Sequence, residues 1–119
     1  MSKYAYAQTA IKAVSYINEN HAAEEAWEKA SCEFFEEGSD GQRKTCPRAA
    51  FYGLFSKNPV KLAGKNASYA QKAVEILKKN PDCNFTASEL WKVVMADEPK
   101  QHNYQMDVVL ALWESKLIT

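Results

Sequence analysis

The sequence predicts an all-α protein, a single domain over residues 1–119 holding about six helices. Three observations lead there. Ala, Lys and Glu are abundant while Val, Ile and Thr are sparse, a composition that favours helix over strand. Apolar residues recur at three- and four-residue steps, the period of a one-sided helix. Apart from Gly53, the glycines and prolines fall at the gaps between the periodic segments or at their ends.

The first helix is expected over 3–19, with Tyr4, Ala7, Ile11 and Val14 on its inner stripe. The second, over 22–36, stacks Ala23, Trp27, Ala30 and Phe34. Glu24, Glu25 and Glu28 crowd its first turns, where the positive end of the helix dipole favours acids. Gly38-Ser-Asp-Gly41 then stops it and opens a polar loop. A third helix is expected from Pro47, where a missing N–H costs nothing, burying Ala50, Phe51, Leu54 and Phe55 before Pro59 ends it. The fourth, over 67–79, turns Ala70, Ala73, Val74 and Leu77 inward. Thr86-Ala-Ser-Glu89 is a capping box, so the fifth helix starts there and buries Leu90, Trp91 and Val94. The last, over 103–117, offers Met106, Val109, Leu110, Trp113 and Leu117. Its other face still carries Val108 and Leu112, which implies burial on more than one side.

The two halves echo each other. Tyr6-Ala-Gln-Thr-Ala-Ile-Lys-Ala-Val14 aligns with Tyr69-Ala-Gln-Lys-Ala-Val-Glu-Ile-Leu77, then Glu25-Ala-Trp27 with Glu89-Leu-Trp91 and Gly53-Leu-Phe55 with Ala111-Leu-Trp113. Three matches in the same order point to two fused three-helix units, 1–64 and 65–119, sharing one core.

Formal net charge is zero, yet residues 1–41 balance at −5, residues 42–80 at +8 and residues 81–119 at −3. Such a split marks either a surface for an anionic partner or charges neutralised within the fold. No apolar run approaches the ~18 residues that cross a bilayer, and no export signal precedes the first helix. A cytoplasmic protein without membrane contact is expected, its cysteines Cys32, Cys46 and Cys83 reduced.

Cys46-Pro-Arg-Ala-Ala-Phe-Tyr-Gly-Leu54 and Met106-Asp-Val-Val-Leu-Ala-Leu-Trp113 carry a resemblance. The chain resembles, over nearly its whole length, a family of small uncharacterised bacterial proteins grouped as a domain of unknown function. The resemblance implies a bacterial cytosolic origin and brings no catalytic or binding role.

The candidate site lies in the basic segment 42–65: Arg43, Lys44, Cys46, Arg48, Tyr52 and Lys57. Cys46 precedes Pro47 at a helix start, where unpaired N–H groups and neighbouring cations favour a thiolate and can cradle a phosphate or carboxylate. The alternative is a small buried cysteine closing the helix start. Nucleic-acid binding is the second reading, with the third helix of the first unit as a recognition helix. Against it stand long connecting loops and only two arginines, the usual readers of guanine. His21, Glu25, Glu28 and Cys32 share helical spacing but match no familiar zinc pattern, so no metal is expected. No phosphate loop or nucleophile elbow is present, so neither a cofactor nor catalysis is expected. The sequence thus favours a non-catalytic binding or regulatory module that engages an anionic ligand or acidic protein through segment 42–65.

Overall fold

A computed structural model of the chain describes residues 3–55, 65–96 and 104–118. Among them lie six helices of nine residues or more: α1 (Lys3–Asn18), α2 (Ala23–Phe34), α4 (Thr45–Phe55), α5 (Lys65–Lys79), α6 (Ala87–Met95) and α7 (Gln105–Glu114). A single turn, α3 (Asp40–Arg43), interrupts the loop after α2. No strand occurs among the described residues, so the all-α expectation holds. The expected stop at Pro59 lies outside them.

Local chemistry sets the ends. Asn20 adopts a left-handed φ of 76° after α1, while the N–H groups of Asn20 and His21 close on Ile17 and Tyr16 carbonyls. The Ser39 hydroxyl accepts from the Gln42 N–H at 3.2 Å and so caps α3. α4 begins at Thr45, two residues before the expected Pro47, because the proline fits within the first turn as well as at its opening. The capping box at α6 is present as read: Glu89 N–H donates to the Thr86 hydroxyl at 3.1 Å, and Thr86 N–H donates to the Glu89 carboxylate at 2.9 Å.

Two hydrophobic clusters form the core, and α4 and α7 serve both. Phe51, Val108 and Leu112 join Tyr6, Ala10, Ala13, Trp27 and Ala30 in the first cluster. Ala50, Met106 and Val109 join Ala70, Leu77, Leu90, Trp91 and Val94 in the second. α4 packs along α5, α7 packs along α1, and α4 and α7 touch each other at the centre. The radius of gyration is 13.2 Å, what a close-packed chain of this length gives.

Several inner faces differ from the expectation: at the end of α2 Phe35 is buried and Phe34 half-buried, Leu54 and Phe55 on α4 and Val74 on α5 are half-buried, and α1 and α7 depart further. α1 buries Ala5, Tyr6, Thr9, Ala10, Ala13 and Val14, so its core stripe is rotated away from Ala7 and Ile11. Ile11 is 40% exposed. Beside Tyr6, Thr9 and Val14, three alanines face inward, and their small side chains let both α2 and α7 come close to α1. On α7, Val108 and Leu112 are fully buried while Trp113, expected in the core, is half-buried.

At the α4–α5 crossing no side chain separates the helices. A Cβ on Gly53 would lie 2.5 Å from Ala67 Cα and 2.8 Å from its carbonyl oxygen. The Gly53 carbonyl instead accepts from Gln71 Nε2 at 2.9 Å.

Candidate functional site

The α2–α4 corner is fixed from below by aromatic and amide contacts. Phe35, buried beyond the end of α2, lies 4.8 Å from the Tyr6 ring, and the Tyr6 hydroxyl donates to Gly41 O at 3.0 Å. Gln42 is buried; its Nε2 donates to Ser31 Oγ at 2.9 Å and its Oε1 accepts from Gly38 N–H at 3.3 Å. Both ends of that amide are therefore committed to holding the loop against α2.

Above this floor opens a polar cavity of about 420 Å³, lined by Glu28, Glu37, Gly38, Gln42, Arg43 and Arg48. Arg43 closes α3 and is exposed, while Arg48 sits one turn into α4 and is half-buried. These are the chain's two arginines. Among the described residues, no carboxylate comes within 4 Å of either guanidinium. Glu28 and Glu37 nevertheless share the opening, so the local charge is mixed rather than purely basic.

Neighbouring groups register that field. Burial raises the Tyr52 phenol above its ordinary range; Arg48 pulls it down, and Glu24 and Glu28 push it up again. The Cys32 thiol on the α2 side is raised too, first by burial and then by Glu37 and Glu28. A raised thiol holds little thiolate at neutral pH and is a poor nucleophile.

Of the six residues expected at the site, the structure brings Arg43 and Arg48 into one cavity. Lys44 turns elsewhere, its Nζ 5.9 Å over the Tyr104 ring. Cys46 is half-buried in the first turn of α4 and does not line the cavity. Tyr52 lies one turn beyond Arg48 in the α2–α4 seam, and Lys57 falls outside the described residues. Glu28, Glu37 and Gln42 were not expected there. The one signal for the two glutamates in the sequence is the opposed charge of residues 1–41 and 42–80, which the corner brings face to face.

Other candidates are absorbed by the fold. His21 pairs with Glu25 one turn along α2, and its ring meets Tyr16 edge-on. Among the described residues no three His, Cys, Asp or Glu side chains converge as a metal site. Past its first residue, Thr45, α4 has no fully exposed position, and α2, α5 and α7 all pack on it. A recognition helix must project into a groove, so this placement weighs against the helix-turn-helix reading. No helix among the described residues is long and apolar enough to cross a membrane.

No curated protein and no solved structure matches the chain. A family described as a family of unknown function (DUF6979) matches residues 1–119, and the chain belongs to that family.

Proposed function

We propose that this family member is a non-catalytic binding module whose working surface is the α3–α4 corner, and that it takes the carboxylate or phosphate group of a small ligand or of an acidic protein segment. The observation that carries the reading is that both arginines open on one polar cavity with no carboxylate of the described residues within 4 Å. A planar guanidinium presents paired N–H donors that match a carboxylate or phosphate, and two of them around one opening favour a compact anionic group. Glu28 and Glu37 narrow the choice. They repel an extended polyanion that must run past them, whereas a single anionic group can seat between the arginines. Nucleic acid is therefore the weaker partner.

The reading includes two further elements. The chain is one domain of two three-helix repeats, 1–64 and 65–119; what favours this is reciprocal packing, α4 on α5 and α7 on α1, which joins the third helix of each half to the first helix of the other. The setting is the bacterial cytoplasm, in keeping with three free cysteines.

The test is a titration with citrate, pyrophosphate and labelled single- and double-stranded DNA at low and physiological salt, read by amide chemical shifts and anisotropy. Shifts confined to Glu37–Arg48 with a small anion, lost in Arg43→Ala/Arg48→Ala, are expected. DNA binding that falls steeply with salt and is lost in the same variant would transfer the surface to nucleic acid. Absence of any response at low salt would remove the reading.

A further inference from the structure

The cavity at the α3–α4 corner carries two charges of each sign, divided by element. Arg43 and Arg48 come from α3 and α4, whereas Glu28 comes from α2 and Glu37 from the turn that follows it. Among the described residues no ion pair joins either arginine to either glutamate, although all four line one opening. Their fields overlap all the same. Beyond burial, which comes first at both groups, Glu37 and Glu28 raise the Cys32 thiol, and Arg48 lowers the Tyr52 phenol while Glu24 and Glu28 raise it.

The rest of the lining is committed. Gln42 holds Ser31 with its amide nitrogen and the Gly38 N–H with its oxygen. Among the described residues no apolar side chain lines the cavity, so nothing there grips a hydrophobic ligand body. Recognition falls to the four charges. The volume of about 420 Å³ is near the lower end for small-molecule sites, roughly 300–1,000 Å³.

A bare anion gains from the arginines and loses to the glutamates across the same opening. A ligand that carries an ammonium beside its acid gains from both, because each carboxylate accepts N–H bonds from it. The formal charges of the lining sum to zero. A carboxylate with one ammonium matches that balance, whereas a phosphate brings nearly two negative charges and leaves an excess. We infer that the ligand of this corner is a small polar amino acid, its carboxylate on Arg43 and Arg48 and its ammonium between Glu28 and Glu37. The inference rests on the anion-binding reading of the corner and narrows its ligand to a zwitterion. Glu28, Glu37 and Arg43 are exposed, so water competes and affinity is about millimolar.

Paired probes isolate the ammonium: glycine against acetate, β-alanine against propionate and γ-aminobutyrate against butyrate, each read by amide chemical shifts of the full chain at low salt. The best of the three amino acids is expected to bind about tenfold more tightly than its acid, with shifts at Glu28 and over Glu37–Arg48. Glu28→Gln/Glu37→Gln, which changes two exposed residues, is expected to lose that preference and at the same time to bind citrate more tightly than wild type. Glutamates that only repel would tighten both ligands in this variant, and glutamates that only support the fold would weaken both; either outcome overturns the inference. Amino acids that bind no better than their acids also overturn it, while citrate binding leaves the anion reading in place. No response to any probe, citrate included, removes both.

Discussion

Gly53→Ala tests the most demanding contact in the fold. The new Cβ would stand 2.5 Å from Ala67 Cα, 2.8 Å from Ala67 O and 3.0 Å from Ala67 Cβ. The first two are backbone atoms of a neighbouring helix, so no rotamer change relieves them and α4 must move from α5. Alanine in a helix interior gains about 1 kcal/mol over glycine. Overpacking of a rigid contact costs about 1–3 kcal/mol. Separation of the helices also stretches the Gln71–Gly53 hydrogen bond, worth about 1 kcal/mol. The net expectation is a loss of about 2 kcal/mol, or a fall of about 8 °C in Tm for a domain of this size. Urea denaturation with matched m-values measures it. Removing the Ala67 methyl group relieves only one of the three contacts, so Gly53→Ala/Ala67→Gly is expected to stay destabilised. Gly38→Ala is the control: its φ is +80° but nothing lies within 4 Å of the added Cβ, so it reports left-handed strain without a clash. A Gly53→Ala protein as stable as wild type, or fully restored by Ala67→Gly, would refute backbone-to-backbone packing at this crossing.

Three other outcomes follow from buried Trp27, the capping box and exposed Cys32. Trp27 is 1% exposed and its Nε1 has no hydrogen-bond partner among the described residues, a burden of about 1–3 kcal/mol. Trp27→Phe removes that donor along with some apolar area, so its unfolding free energy is expected within about 1 kcal/mol of wild type; a loss above about 3 kcal/mol would mean the indole N–H is satisfied. The capping box holds the Glu89 carboxyl below its ordinary value of 4.5, chiefly through the Thr86 backbone N–H and then its hydroxyl. A lowered folded pKa gives stability that is present above the unfolded value and lost as pH falls through the folded one. Thr86→Ala is expected to cost about 1 kcal/mol at neutral pH. Because it keeps the backbone N–H, Glu89→Gln, which removes the titrating carboxyl, is the variant expected to shallow the acid limb of a stability–pH curve, and an unchanged limb there would contradict the box. Cys32 is expected to react with iodoacetamide at pH 7 more slowly than a model thiol, and Glu37→Gln to speed it by removing one of the charges that raise its pKa. Equal rates with and without Glu37 would place that carboxylate away from the thiol.

The fold was legible wherever a local rule decides it. Thr86 and Glu89 fixed the start of α6 because a capping box needs only four consecutive residues. The all-round apolar character of α7 pointed to its central place, which Val108 and Leu112 in one cluster and Met106 and Val109 in the other now explain. α1 was misread because periodicity weighs large side chains, and its core contacts use small ones. Ala10 and Ala13 face two neighbouring helices, and bulky Ile11 is left at the margin. The extra turn at Asp40–Arg43 was hidden as a loop, since its stability comes from the Ser39 cap and from Gln42 reaching Ser31 on α2. The site divides the same way. Arg43 and Arg48 stood out by closeness in sequence, whereas Glu28 and Glu37 reach the same cavity only through the return of the chain. Lys44 looked equivalent to the arginines until Tyr104, sixty residues away, drew it aside.

Segment Cys46–Leu54 shows how packing and binding can be separated on one helix. Pro47, Ala49, Ala50 and Phe51 are buried, and Gly53 meets Ala67 backbone to backbone, so most of the segment is accounted for by the core. Tyr52 and Leu54 are half-buried and pack at its edges. Arg48 is different. Its head opens on the cavity with no carboxylate of the described residues within 4 Å, so the fold does not require its charge. Arg48→Met keeps the apolar stem and deletes only the guanidinium. Stability is then expected to change by no more than about 0.5 kcal/mol while anion binding at the corner is lost. A large loss of stability would instead make Arg48 an internal counter-charge to Glu28 and Glu37, with the opposed charges of the chain serving the fold alone.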